Sequence, residues 1–212
     1  MMIEKIIDRI GYDYPLKEKD IAEFKTFKAG SLNNECEAYD AKNMGNIFAM
    51  ASKAMLGLMK VETLVICPFD IDGPILTLDA VNGKNIYIDL IDATLEKSYS
   101  EKRTLAVKDK YNEFLQGDQK AKWDDKFRLR SSMIAKFPDS RKAEECAMEM
   151  IEAYLKMLDE THVCYSGDKK KKIREYTDEL LENGGPATDV FLKQLGREKT
   201  ERFFNEAMFA TE

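Results

Sequence analysis

The sequence predicts an α+β fold, an antiparallel sheet covered by helices, and three observations point there. ETLVICPF is rich in β-branched residues and stops at Pro68, as a strand does. The stretch PILTLDAVNGKNIYIDLIDA, Pro74 to Ala93, has two strand-forming arms joined by Asn82 and Gly83, the preferred pair for a hairpin turn. Helical periodicity takes over after Ser98. Strands first and helices later suit an antiparallel sheet with helices packed on it, because a parallel sheet needs the two to alternate. With 212 residues and no repeat or Pro/Gly-rich linker, residues 1–212 are expected to form one domain.

A short helix is expected at the N-terminus, followed by extended segments SLNNECEAYDA and NIFAMAS. AMASKAMLGLMK has enough Ala, Met and Leu to be helical instead. Met44, Met50, Met55 and Met59 fill a core or form a flexible apolar pocket wall. A strand over ETLVICPF leads to the hairpin. A two-residue type I′ turn there sets Val81 opposite Lys84, Asp79 opposite Ile86, Thr77 opposite Ile88 and Ile75 opposite Leu90. Asp79 then lies on the more apolar face, and a slip of one residue would exchange the two faces. A carboxyl among apolar neighbours is costly to ionise, so its pKa is expected to rise. Asp79 reads as a proton donor or polar anchor in a pocket, or as a strand-end acid satisfied by backbone or water.

Ser98 can cap a helix with Glu101 three residues on, and Thr104, Val107, Tyr111 and Phe114 form its buried stripe. A polar connection around Trp123 leads to a strand, LRSSMIAKF. Ala143, Ala147, Met150, Ile151, Tyr154 and Leu158 then restore a helical period. Two further helices follow, the last beginning at Pro186 after Asn183, Gly184 and Gly185.

A net charge of -6 argues against a general nucleic-acid binder. The chain has no apolar run of the roughly 20 residues needed to cross a bilayer, and the charged start MMIEKIIDRI does not suit a signal peptide, so no membrane and a cytoplasmic setting are expected. Cys36, Cys67, Cys146 and Cys164 are too widely spaced for a CxxC or zinc site and read as free thiols. No GxGxxG, Walker or HExxH motif occurs. His162 reads as a surface or capping residue, and its nearness to Cys164 is too unspecific to mark a catalytic pair. Asp70 and Asp72 read as loop residues, since with Asp79 they do not match a calcium loop; no metal is expected. Lys169, Lys170, Lys171 and Lys172 form a solvated face or a contact for an acidic partner.

Several segments, in order from about Leu32 to Phe209, resemble the ferredoxin-dependent bilin reductases. LNNECEAYDAKNMGNIFAMAS is similar to the family's first strands around a Tyr, and VETLVICP to its strand ending in Pro. PILTLDAV with IYIDLIDA is similar to its Pro-Ile-Phe-Gly-x-Asp strand and partner. WDDKF resembles a Trp-x-Asp-x-Phe segment, and ENGGPATDVFLKQLGREKTERFFNEAMF the C-terminal pattern. The resemblance implies an α/β/α sandwich with a linear tetrapyrrole between the sheet and the C-terminal helices. It also implies single electrons from an external ferredoxin, no bound cofactor, and Asp79 as the proton donor. Met50 stands at a common Glu position, Thr63 at a common His position, and Asn183 or Gly184 where several members have a second acid. Met50, Thr63 and Asn183 are therefore expected to line the substrate pocket, and Arg128, Arg130 and Lys136 to meet propionate carboxylates. On this resemblance Lys169 to Lys172 steer the ferredoxin. A noncatalytic tetrapyrrole- or small-ligand-binding protein on the same fold is the alternative.

Overall fold

A computed structural model describes residues 1–54, 57–117 and 123–212. Among them, eight strands form one antiparallel sheet. They are β1 (Leu16–Glu18), β2 (Thr26–Ala29), β3 (Leu32–Ala41), β4 (Gly45–Ala54), β5 (Met59–Pro68), β6 (Ile75–Val81), β7 (Asn85–Ile91) and β8 (Met133–Lys136). The order is β1-β3-β4-β5-β6-β7-β8, with β2 paired to β3 beside β1. One face is covered by α1 (Met2–Asp13), α2 (Lys102–Lys110) and α3 (Ser140–Asp159). The other is covered by α4 (Ser166–Asn183), α5 (Pro186–Leu195), α6 (Arg197–Arg202) and a π-helical turn at Phe203–Met208. The α+β class and its sandwich layering are as expected.

Each face owns a separate core. The α3 stripe Ala143, Ala147, Met150, Ile151, Tyr154 and Leu158 is buried with Ile6 and Ile10 of α1 against Leu64, Leu78 and Ile88. The Tyr154 hydroxyl donates to the Pro74 carbonyl at 2.7 Å, which pays its desolvation and ties α3 to the sheet. Asp139 caps α3 by accepting from the Lys142 N–H at 2.9 Å. Phe48, Val65 and Ile75 on the opposite face meet Ile173, Phe191 and Phe203.

The hairpin corrects the expected register. Asn82 and Gly83 do adopt positive φ, 52° and 66°, but the paired residues flanking the turn are Val81 and Asn85. Asn82 continues the ladder to β5: its N–H donates to the Lys60 carbonyl, and its side chain accepts from the Lys60 N–H. Lys84 closes the turn onto the Val81 carbonyl and accepts from Phe137. The extra residue moves Ile86, Ile88 and Leu90 to the face of Leu76, Leu78 and Ala80, gathering six apolar side chains in the α3 core. Asp79 is therefore opposite Tyr87, and its side of the hairpin is the more polar one.

Other local expectations also shift. Ala49–Ala54 is strand, not helix, because β3 and β5 pair with it on both sides. Met44 is core, Met50 faces the C-terminal helices, Met59 is exposed, and Met55 lies outside the described residues. Ser98 does not cap α2. Glu101 occupies that position and accepts from the N–H and hydroxyl of Ser131, both at 2.9 Å, while the buried Ser98 hydroxyl has no partner among the described residues. Thr104 and Tyr111 are buried, with Val107 and Phe114 packed beside them. The strand within LRSSMIAKF is confined to β8. A helix does begin at Pro186, but it stops at Gly196 (φ 80°), and α6 and the π turn follow. No helix among the described residues is long and apolar enough to cross a membrane.

Candidate functional site

Neighbouring strands place Met50, Thr63, Asp79, Tyr87 and Ile134 in one row across the sheet, on the face turned to the C-terminal helices. Met50, Thr63 and Asp79, separated in sequence, are thus brought side by side. Above them lies a cavity of about 480 Å³. Its floor also includes Val65, Thr77 and Asp89, and its roof is Tyr176, Leu180, Phe191, Phe204, Met208 and Phe209. Tyr176 meets Phe209 edge-on at 6.1 Å and stacks on Trp123 at 6.2 Å. The Trp123 indole N–H donates to the Gly184 carbonyl at 2.9 Å, which fixes the end of α4 beside the cavity.

Asp79 is half-buried and lines the cavity. Its Oδ1 accepts from the Thr63 hydroxyl at 2.5 Å. Burial pushes its pKa up and the Thr63 bond draws it down; burial prevails, so the carboxyl holds its proton above the usual aspartate range. The apolar surroundings come from the aromatic roof, not from the hairpin neighbours anticipated in the sequence. A carboxyl whose pKa is raised in this way can, in its protonated form, donate a hydrogen bond or a proton to a bound molecule.

The basic residues divide. Arg128 lines the cavity, and its Nη2 lies 3.1 Å from Asp89 Oδ2 and 3.0 Å from Asp124 Oδ2, so two carboxylates compensate its charge. Arg130 and Lys136 are exposed and are not among the residues that line the cavity. Asn183 lines the cavity while its amide donates to the Glu179 carbonyl at 2.9 Å.

Lys169 requires the largest correction. It is fully buried, and its ammonium donates to Asp72 Oδ1 (3.1 Å) and to the carbonyls of Gly73 (2.7 Å) and Ala93 (2.8 Å). Asp72 accepts in turn from the N–H groups of Leu95 and Glu96, both at 2.7 Å, so this loop residue, as expected outside helix and strand, is also a buried hub. A lysine with all three donors engaged inside the protein cannot face a partner. Lys170, Lys171 and Lys172 remain at the surface, the last two paired with Asp168 and Glu175. His162 is exposed.

Asp89, Tyr176 and Thr188 also line the cavity, though the sequence did not single them out. Only the hairpin register could have signalled Asp89. Tyr176 and Thr188 depend on how α4 and α5 lie over the sheet.

No protein-family model matches the chain, and no curated protein matches it by sequence. The fold is similar to that of phytochromobilin synthase from tomato. That protein was solved as its selenomethionyl form in complex with biliverdin, and the likeness has a TM-score of 0.79. The match covers 99% of this chain and 82% of the tomato phytochromobilin synthase chain, at 12% sequence identity. It establishes a shared α/β/α arrangement.

Proposed function

We propose that the cavity binds a linear tetrapyrrole or a related compound and that Asp79 protonates it while an external ferredoxin supplies electrons singly. The observation that carries this reading is a carboxyl, its pKa pushed up by burial, on the floor of a cavity roofed by aromatic side chains. About 480 Å³ falls within the range of roughly 300–1,000 Å³ usual for small-molecule sites. The aromatic roof suits a conjugated pigment, and the Asp89 side chain on the floor offers acceptor oxygens to its pyrrole N–H groups. A protein of the same fold binding biliverdin adds support.

Reduction of one double bond takes up two electrons and two protons. On this reading the Asp79 O–H bond breaks as the pigment gains a proton, and the resulting carboxylate is reprotonated from solvent before the second transfer. On this reading the electrons come from ferredoxin, and the protein needs no redox group of its own. The reading assigns a cytoplasmic setting, with which four free cysteines accord.

A noncatalytic pigment binder is the second reading, favoured by Met50 and Thr63: beside Asp79 in the cavity row, neither is an ordinary proton donor. A biliverdin titration followed by anaerobic addition of reduced ferredoxin separates the two. Turnover lost in Asp79→Asn with the binding spectrum retained is the result expected of the enzyme. A spectral shift without turnover in the unaltered protein leaves binding alone, and no spectral change eliminates both.

A further inference from the structure

We infer that the first turn of α5 is a second subsite of the cavity, a clamp for a carbonyl oxygen made by the Thr188 hydroxyl and the N–H groups of Ala187 and Thr188. This rests on the tetrapyrrole reading and deepens it, because the terminal rings of such a pigment are lactams whose carbonyl oxygens are neutral acceptors.

Thr188 is only 4% exposed and lines the cavity, yet its hydroxyl has no hydrogen-bond partner among the described residues. The residue is nearly enclosed while its hydroxyl keeps no protein partner beside the cavity, so an acceptor bound there can take the place of water on it. The backbone beside it is in the same condition. The helix has Pro186 at its start, which has no N–H, and its first backbone bond runs from the Asp189 N–H to the Gly185 carbonyl. The N–H groups of Ala187 and Thr188 have no acceptor among the described residues, and both residues line the cavity. Three donors from two consecutive residues at one end of the chamber are therefore without an acceptor among the described residues.

Charge decides which acceptor they suit. Asp189 follows directly, and its carboxylate accepts from the Gly185 N–H at 3.3 Å. A negative charge at that point disfavours a second free carboxylate on the same helix turn and leaves a neutral carbonyl oxygen as the fitting group. The Asn183 amide, another side-chain donor of the cavity lining, is engaged with the Glu179 carbonyl.

The test compares biliverdin with its dimethyl ester, which keeps both lactams and blocks both propionates, in absorbance titrations of the unaltered protein, Thr188→Val and Thr188→Ser. Thr188→Val is expected to weaken both pigments by about three- to tenfold, and Thr188→Ser to stay near the unaltered protein. The ligand-free melting temperature of Thr188→Val should not fall, since the hydroxyl has no internal bond to lose. A loss confined to the free acid would show that a carboxylate sits there and overturn the inference. Equal weakening in both variants, or none in either, would overturn it too. If the unaltered protein bound neither pigment, the tetrapyrrole reading itself would fail and take this subsite with it.

Discussion

Replacing Lys169 with methionine removes a charge from a place with no water to compensate. The ammonium and its partner Asp72 are 0% and 5% exposed, and the substitution strips three donors at once. Asp72 keeps two backbone N–H donors but loses its cation, and the carbonyls of Gly73 and Ala93 lose these contacts. Breaking a buried pair from one side costs about 3–5 kcal/mol, the orphaned carbonyls forming part of that sum. In urea, with a slope of about 2–3 kcal/mol/M for a chain of this size, the midpoint should fall by about 1–2.5 M. The corresponding thermal shift is about 6–20 °C. Lys171→Met, a change at an exposed neighbour, should leave the midpoint where it is. Asp72→Asn combined with Lys169→Met should cost less than the two single changes added together, because the stranded charge is gone. A Lys169→Met midpoint within about 0.3 M of the unaltered protein would refute the reasoning, as would an equal effect from Lys171→Met.

Two further outcomes follow from the site and surface. Because Asp79 has a raised folded-state pKa, its protonated form contributes stability fully below the ordinary aspartate value of about 3.9, and this is lost as pH climbs through the folded value. Asp79→Asn should therefore gain on the unaltered protein as pH rises, by at most about 1.4 kcal/mol per unit within that window; paired unfolding curves that differ by a constant from pH 4 to 8 would contradict it. The surface cations Lys170, Lys171 and Lys172 are proposed to steer an acidic ferredoxin, so measured affinity should drop steeply with salt and less steeply after triple replacement by Gln. A flat salt series would remove them from that role.

The sequence was most readable where one side chain's pattern sufficed. The α3 stripe, the strand ending at Pro68 and the helix start at Pro186 each follow from local periodicity or backbone preference. The row of Met50, Thr63 and Asp79 was anticipated only as a set of family-like positions, and the strand pairing gives it physical form. The hairpin shows why the remainder was hidden. Asn82 and Gly83 determine positive φ, but not whether Lys84 joins the turn; that choice depends on bonds to Lys60 and Phe137, remote in sequence. Lys169 was hidden for a similar reason. A four-lysine run says nothing about which member points inward, and the answer lies in Asp72 and two carbonyls nearly a hundred residues away or fewer.

The sheet works as a bulkhead. Its α3 side is sealed by α1, α2 and α3, whereas the chamber's ceiling is contributed by the single stretch from Tyr176 to Phe209. A graft replacing that stretch could refit the chamber for a differently shaped guest while the opposite compartment went on folding around the same strands.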